Sequence, residues 1–310
     1  MNYKPYGNTG LQVSRIGFGG WQLGNNQDFS QMDFETGVTL VKEAYAKGVR
    51  LFDTAPNYGG GNSEKIIGEA LKEHRKEVVI NTKIGHLPDG STDWSVDTIE
   101  KQIRSSLERL QTDYLDSVIL HNPPLEILQG KTGHFIELKR LKALGVIKAY
   151  GVSIDTLQEL KTTIEKTDSQ VVEILFNAFF QEPAALFPFV KAKKIAMIAK
   201  VPLDSGWLTG KFNQNSVFTG IRERWDDKTI RRRSIMVEKL KAICQEEDLT
   251  ATAIAFVLGF DAFTAVIPGI RNSQQLDINI QADAKVLSYQ TRQKIMDLYN
   301  QQIKNDPLPW

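Results

Sequence analysis

Two hydrophobic patterns alternate along most of the chain. Short apolar, β-branched runs predict buried strands, and longer segments with apolar residues three and four positions apart predict amphipathic helices. The predicted strands are 16–19, 49–53, 78–83, 117–121, 148–152, 171–176, 195–201 and 264–267. The predicted helices are 34–47, 63–74, 96–110, 134–144, 156–166, 184–193 and 273–282. Eight strands that alternate with helices predict an α/β fold, a closed parallel (β/α)8 TIM barrel.

An open, doubly wound sheet is the alternative, but no glycine-rich strand-to-helix turn of the dinucleotide-binding type occurs early in the chain. Residues 2–14 predict an N-terminal hairpin that turns at Asn8-Thr9-Gly10. Residues 202–262 form a long insertion between strands seven and eight, with helices expected at about 231–246 and 250–260, and a last helix at 288–302. Long segments of this kind usually serve as lids or binding loops.

Composition narrows the class of protein. A chain of 310 residues without a linker predicts one barrel domain over 1–310. Its 38 basic and 37 acidic residues leave a net charge of +1, which offers no general attraction to nucleic acid or to a membrane. Cys244 is the only cysteine, which fits a reducing compartment, and the N-terminus is unlike a signal peptide. We therefore expect a cytoplasmic protein; its oligomeric state does not follow from the sequence.

Reactive side chains stand where three consecutive predicted strands end. Asp53 ends the second strand and Tyr58 lies on the loop beyond it; Lys83 ends the third strand and His121 the fourth. The same loop leads to a helix that Ser63 is expected to open. In (β/α)8 barrels the carboxyl ends of the strands carry the active site.

These four residue types suit proton transfer. A phenol, with an ordinary pKa of about 10, becomes a better acid beside an ammonium, and a carboxylate keeps that ammonium charged. An imidazole can hydrogen-bond a carbonyl oxygen and polarise it. Taken singly, Asp53 suits a turn, Lys83 a surface, Tyr58 a packed loop and His121 a strand end. Their occurrence together at successive strand ends favours a catalytic site.

Specific motifs also follow one another along the chain. They are GNTGLQVSRIGFGGWQLG at 7–24, FDTAPNYGGGNSEKIIG at 52–68, INTKIG at 80–85, SLERLQTDYLDSVILHNP at 106–123, GVS at 151–153, PLDSGWLTGKF at 202–212 and VIPGIRNSQQLDINI at 266–280. In order and spacing they resemble the aldo-keto reductase family over nearly the whole chain. The resemblance implies an enzyme that reduces aldehydes or ketones to alcohols with NADPH and without a metal. It implies a catalytic tetrad of Asp53, Tyr58, Lys83 and His121, with Tyr58 as proton donor.

The resemblance further implies a dinucleotide site at the same strand ends. Leu203 to Lys211 is similar to the segment that covers the pyrophosphate, and Arg271 suits a 2′-phosphate because a guanidinium binds phosphate through two bonds. Helix N-terminal amides at 273–275 favour an anion as well. The expected cofactor contacts are Gly20, Trp21, Asp53, Ser153, Lys200, Pro202, Leu203, Ser205, Gly206, Leu208, Gly210, Lys211, Gly269, Arg271, Ser273, Gln275 and Asn279.

The chain departs from the family pattern around the expected nicotinamide. Ile154 stands where the family commonly has asparagine, Glu173 where it has glutamine, and Lys200 where an aromatic residue often stacks. Ile278 replaces a frequent glutamate. These departures leave NADH possible beside NADPH. One hypothesis is that Lys200 contacts Glu173 or an acidic substrate.

Two other functions stay open at this point. One is an NAD(P)-dependent dehydrogenase of a sugar or polyol, and the other is a regulatory subunit similar to the family's potassium-channel subunits. No metal site is expected, because His74, His86 and His134 lack metal-ligand spacing. The run 231–233 predicts a solvated helix start. Three tryptophans either line a pocket or anchor their loops: Trp94, Trp225 and Trp310.

Overall fold

Eight parallel strands form the centre of the molecule. The computed structural model describes residues 1–309, apart from the side chain of Ile221. The hairpin strands are β1 (Tyr3–Pro5) and β2 (Gln12–Ser14). The barrel strands are β3 (Phe18–Gly19), β4 (Leu51–Asp53), β5 (Val79–Ile84), β6 (Leu115–His121), β7 (Ile147–Ile154), β8 (Val171–Leu175), β9 (Ala196–Lys200) and β10 (Phe263–Val266). They pair in sequence order, all parallel.

The first and last barrel strands meet and close the ring. Bridges join Ile16 to Val266 and Gly19 to Gly269, and the Gly17 N–H donates to the Val266 carbonyl at 2.8 Å. A Cβ on Gly19 would lie 2.8 Å from the carbonyl oxygen of Ile267, so only glycine permits this approach. The predicted TIM barrel is therefore confirmed.

Helices surround the barrel. They are α1 (Phe34–Ala46), α2 (Asn62–Leu71), α3 (Ile99–Leu110), α4 (Leu125–Leu128), α5 (His134–Ala143), α6 (Leu157–Lys166), α7 (Phe187–Ala192), α8 (Asp227–Cys244), α9 (Thr250–Leu258), α10 (Ser273–Gln281) and α11 (Tyr289–Gln302). Side chains cap several of them, as Asp33 does for α1 and Thr156, through a capping box with Glu159, for α6. Within the described residues, none of these helices is both long and apolar enough to cross a bilayer.

The observed boundaries depart from the predicted ones at a few places. Helix α8 begins at Asp227, ahead of the basic run, because Asp226 caps it. Helix α2 begins at Asn62 after Gly61, whose φ of 91° lies in the left-handed region. Ser63 therefore lies inside the helix, where its buried hydroxyl donates to the Gly20 carbonyl at 2.8 Å. The short helix α4 was not predicted.

The predicted hairpin closes the amino end of the barrel. Tyr6 and Val13 pack on apolar side chains inside the barrel, among them Leu51 and Val79. The Tyr6 hydroxyl lies 3.1 Å from Ser117 Oγ in the interior. With this end filled, the polar side chains near the carboxyl ends of β4 to β8 are left at the other end.

Candidate active site

A buried ion cluster lies at the carboxyl ends of β4, β5 and β8. Lys83 Nζ donates to Asp53 Oδ1 at 2.6 Å and to the Thr54 carbonyl at 3.1 Å. It also lies 3.3 Å from Glu173 Oε2. Asp53 Oδ2 accepts from Asn81 Nδ2 at 2.7 Å, since Asp53 and Asn81 face each other in the β4–β5 register. Lys83 is fully buried and shared between two nearly buried carboxylates.

Burial and mutual charge set the protonation of this cluster. Burial and the neighbouring Glu173 carboxylate raise the pKa of Asp53 to about 8, and the Lys83 charge opposes them. Burial alone would raise the pKa of Glu173, but the charges of Lys83 and Lys200 outweigh it and lower that pKa. Burial alone would lower the pKa of Lys83, but the two carboxylates raise it, so the amine stays charged.

Tyr58 lies on a tight turn beside this ammonium. Lys83 Nζ is 5.1 Å from the centroid of the Tyr58 ring. The turn depends on glycine: Gly59 has a φ of 58°, and a Cβ there would lie 2.6 Å from the Gly24 carbonyl oxygen. Burial raises the pKa of Tyr58 above its ordinary value, Lys83 opposes this, and the two carboxylates reinforce it. The phenol is therefore protonated at neutral pH and able to donate.

His121 stands next to Tyr58 at the end of β6. The two ring centroids are 5.9 Å apart. Burial, together with the charges of Lys83 and Lys200, holds the pKa of His121 well below its usual value, so the imidazole is neutral. A neutral imidazole can hydrogen-bond a carbonyl oxygen without bringing a positive charge.

An aromatic wall continues from these two rings. Trp21, on the loop after β3, is 6.4 Å from Tyr58, and His86 is 4.9 Å from His121 between ring centroids. Trp94 meets His86 edge to face and covers Gly85, where a Cβ would lie 2.1 Å from the indole. Trp94 therefore supports the wall. His86 was not assigned to this site from the sequence, although its position three residues after Lys83 was a signal for it.

Lys200 occupies the rim beside Glu173. Its ammonium donates to Ser153 Oγ at 2.8 Å and to Asn122 Oδ1 at 2.9 Å, and it pairs with Asp155 Oδ1 at 2.9 Å. Ser153 in turn donates to Glu173 Oε1 at 3.1 Å. The hypothesis that Lys200 contacts Glu173 is thus changed in one respect, because Ser153 lies between them. Ile154 is fully buried and brings no polar group to this rim.

The segment after β9 adopts an unusual backbone. Val201, Asp204 and Ser205 have φ values of 54°, 48° and 55°, and Gly206 follows at 100°. Positive φ is costly for residues other than glycine, so contacts must stabilise the turn. Arg222 supplies one of them, because its Nε donates to the Ser205 carbonyl at 2.9 Å. Leu208, predicted to touch the cofactor, is fully buried and packs in the hydrophobic core.

A buried ion pair supports this segment from below. Arg233 is only 1% exposed, and its guanidinium pairs with Asp204, which is 3% exposed. Burial raises the pKa of Asp204, and the Arg233 charge opposes it. Arg233 also donates to the Pro309 carbonyl at 2.6 Å, and Arg232 pairs with Asp306 at 3.1 Å. The predicted solvated helix start is therefore wrong for Arg232 and Arg233, which hold a loop and the tail; Arg231 is exposed.

Trp225 helps to anchor the same insertion. It is 6% exposed and lies 5.8 Å from Trp207 and 5.1 Å from Phe218 between ring centroids. Of its two predicted roles, loop anchor is the one that the packing favours. Trp310 lies outside the described residues.

Three cations converge above the segment. Burial lowers the pKa of Lys211, and the charges of Arg222 and Arg271 lower it further. Arg222 is affected in the same way by burial, Arg224 and Arg271. Arg271 Nε and Asn279 Nδ2 are buried without a hydrogen-bond partner among the described residues. Excess positive charge and unused donors fit the phosphates of a dinucleotide.

The start of α10 is less open to an anion than predicted. Asn272 caps the helix and accepts from the Gln275 N–H at 2.9 Å, so this amide is already used. Ser273 Oγ donates to Glu43 Oε2 at 2.5 Å, and Glu43 pairs with Lys47 at 2.8 Å. A carboxylate therefore lies beside the hydroxyl of Ser273, one of the expected cofactor contacts.

The remaining predicted contacts are glycines and loop residues. A Cβ on Gly20 would lie 2.6 Å from the Asp53 carbonyl, and one on Gly269 would lie 2.3 Å from the Gln22 amide. Pro202 and Gly210 are buried, whereas Leu203, Ser205 and Gly206 are partly exposed. Among the described residues, no group of three or more histidine, cysteine, aspartate and glutamate side chains could hold a metal ion.

Comparison with known proteins shows the family of the chain. A model of the Aldo/keto reductase family matches residues 15–300. The chain is 29% identical to the aldo-keto reductase YhdN of Bacillus subtilis over 298 residues, covering 89% of this chain and 87% of that protein. It is 28% identical to the NADH-specific methylglyoxal reductase of Escherichia coli, covering 91% and 93% of the two chains.

A solved structure agrees in fold. The holo form of the aldo-keto reductase AKR11C1 from Bacillus halodurans superposes with a TM-score of 0.82 over 96% of both chains, at 24% identity. The family match covers most of the sequence and includes every strand that carries the cluster. The chain therefore belongs to the aldo/keto reductase family.

Proposed function

We propose that this protein reduces aldehydes or ketones to alcohols with a nicotinamide dinucleotide, preferring NADPH, through one barrel domain spanning 1–310. The observation that carries the proposal is the contact between a protonated phenol, a charged lysine and a buried carboxylate: Tyr58, Lys83 and Asp53. Such a group transfers a proton to an oxygen that gains negative charge. The family model, which covers residues 15–300, supports the same reaction class.

The chain's own residues account for the proton half of the reaction. When bound, the reduced nicotinamide supplies a hydride to the carbonyl carbon. Tyr58 donates its hydroxyl proton to the carbonyl oxygen, which gains the electron pair as the C=O π bond breaks. Neutral His121 hydrogen-bonds the same oxygen and orients it. Lys83, held charged by Asp53, stabilises the phenolate that remains until a solvent proton replaces the one lost.

Two local charges bear on the choice of nucleotide. The cations Lys211, Arg222 and Arg271 favour an additional phosphate. Glu43 opposes it at Ser273, but Lys47 already neutralises that carboxylate in part. Because three cations outnumber one carboxylate that is already paired with a lysine, the local charge favours the additional phosphate of NADPH.

The wall formed by Trp21, Tyr58, His86 and His121 favours a small polar carbonyl compound as substrate. A methylglyoxal reductase is among the relatives, so small 2-oxoaldehydes are the first compounds to test. We infer a cytoplasmic enzyme without a nucleic-acid or membrane partner. The presence of a single cysteine, Cys244, fits a reducing compartment.

The test begins with nucleotide binding. NADPH and NADH are titrated into the protein while tryptophan fluorescence is followed, and aldehydes are then assayed with the wild type and Tyr58→Phe. We expect tighter binding of NADPH, and a loss of kcat of about 10²- to 10⁴-fold in Tyr58→Phe because the proton donor is gone. Nucleotide affinity of Tyr58→Phe serves as the control. Failure to bind either nucleotide, or full activity of Tyr58→Phe, would contradict the proposal.

A further inference from the structure

Glu173 is a second buried carboxylate on the lysine of the site. It is 2% exposed, its Oε2 lies 3.3 Å from Lys83 Nζ, and its Oε1 accepts from Ser153 Oγ. Asp53 already pairs with the same ammonium at 2.6 Å. Burying another carboxylate is unfavourable unless charges and hydrogen bonds compensate it, so the position of Glu173 calls for a role.

We propose that Glu173 is a positioning residue for proton transfer: it holds Lys83 as a second carboxylate and keeps Tyr58 in its protonated, donating form as the pH rises. This inference rests on the proposed reductase function. It concerns a residue that is absent from the predicted tetrad and that replaces the family's glutamine.

Charge counting gives the physical reason. Above about pH 8, where Asp53 is ionised, the charges of Asp53 and Lys83 alone would cancel beside the phenol. With Glu173 ionised as well, the buried group carries one net negative charge in that pH range, and removing a proton from Tyr58 would add another. Like charges at this range disfavour ionisation. Glu173 is accordingly among the causes that hold the pKa of Tyr58 above its ordinary value.

Lys200 keeps Glu173 ionised from the rim. Its ammonium reaches Glu173 through the Ser153 hydroxyl and, with Lys83, lowers the pKa of Glu173. Glu173 is therefore held between a catalytic ammonium and a rim ammonium. The titratable and charged groups that face Glu173 and Tyr58 from the surrounding elements are Tyr6, Asp53, Lys83, His121 and Lys200.

The first measurement compares pH profiles of carbonyl reduction. Glu173→Gln keeps the shape of the side chain and can still accept from Ser153, but removes the charge. We expect its alkaline decline in kcat to begin at a lower pH than that of the wild type, because loss of a nearby negative charge eases ionisation of Tyr58. Glu173→Asp, which retains the charge, should return toward the wild-type profile. Glu165→Gln makes the same chemical change on the exposed face of α6 and is the control.

Superimposable profiles for Glu173→Gln and the wild type would overturn the proposal. Equal displacement in Glu173→Gln and Glu173→Asp would also overturn it, since shape rather than charge would then be responsible.

The second measurement requires no turnover. In the wild type, burial and Glu173 raise the pKa of Asp53 from 3.8 to about 8. A carboxyl whose folded-state pKa is raised contributes stability that is complete below the unfolded pKa and is lost as the pH rises through the folded one. Glu173→Gln should lower the pKa of Asp53 and so reduce this loss of stability. As the pH rises from 3.8 to about 8, the unfolding free energy of the variant should therefore increase relative to that of the wild type.

If the unfolding free energies of Glu173→Gln and the wild type change in the same way with pH, the proposed role of Glu173 is wrong even if the enzyme is active. If the curves diverge as expected and no carbonyl compound is reduced, the reductase proposal fails and the charge effect of Glu173 stands. The two measurements therefore separate the two proposals.

Discussion

The carboxyl end of the barrel contains two ionic regions that are built in opposite ways. In the cluster around Lys83, opposite charges meet at 2.6 and 3.3 Å and are buried. In the group formed by Lys211, Arg222 and Arg271, the charges acting on each other are of one sign. The charges of the first region pair within the protein, whereas the second is proposed to bind the phosphates of a nucleotide.

This difference determines which process the charges of each region affect. Within the cluster, Coulomb attraction offsets the desolvation of the buried charges during folding, so its residues affect the stability of the protein even without a ligand. We expect an anionic ligand to relieve the repulsion among the three cations, so those residues should affect the affinity for a nucleotide. Substitutions can therefore tell the two regions apart.

The largest effect is expected for Lys83→Met. It leaves Asp53 and Glu173 buried without their cation, which lowers the free energy of unfolding by about 3–5 kcal/mol at neutral pH. Burial and mutual repulsion raise the pKa of such carboxyls, so the stability they contribute is present at low pH and lost as the pH rises. Urea denaturation at acidic and neutral pH should thus show a deficit that shrinks in acid.

Lys161→Met, on the exposed face of α6, is the matched control for Lys83→Met. If Lys83→Met loses the same unfolding free energy at both pH values, uncompensated charge is not the source of the loss. The distinction between the two ionic regions would then be wrong.

An intermediate effect is expected for Arg222→Gln. Loss of one charge-assisted bond to a phosphate should weaken NADPH binding about tenfold, equal to about 1.4 kcal/mol. The unfolding free energy without nucleotide should fall by only about 0.5–1 kcal/mol, because the lost bond to the Ser205 carbonyl is partly offset by the removal of one member of a repelling group. Fluorescence titration gives the first quantity and urea denaturation the second.

The exposed Arg231→Gln on the same insertion is the control for Arg222→Gln. A large loss of stability in Arg222→Gln with unchanged affinity would assign that residue to the structural class instead.

The smallest effect is expected for Glu43→Gln. Removing the carboxylate beside Ser273 should raise the preference for NADPH over NADH by about two- to threefold, because exposed charges are well screened. Glu35→Gln, about two turns away on α1 and exposed, is the control. Competition titrations at low salt measure the ratio. An increased preference for NADH would show that Glu43 does not oppose the 2′-phosphate.

Sequence patterns predicted the barrel and the tetrad because both depend on local order. A strand's end is visible in the chain, and Asp53, Lys83 and His121 follow directly from three such ends. Parallel strands then bring these ends to one face without further information. The structure places these residues and Tyr58 side by side; their catalytic roles stay predictions.

Contacts across the barrel or across the insertion could not be predicted. Glu173 was recognised as a departure, but its contact with Lys83 depends on β5 and β8, which are not neighbours in the sheet. Asp204 lies at the start of the insertion and Arg233 near its middle, 29 residues later, and no periodicity signals that they meet. His86 was tested only for metal-ligand spacing and so was missed.

Ring closure between β3 and β10 has a consequence during synthesis on the ribosome. Ile16 emerges early and Val266 late, so a nascent chain that has formed β3 to β9 has two open parallel edges while translation continues. Open edges invite pairing with other chains. Strand β3 is only two residues long, which leaves little template for such pairing at one edge. The other edge, β9, is the one that chaperones would have to shield until β10 arrives.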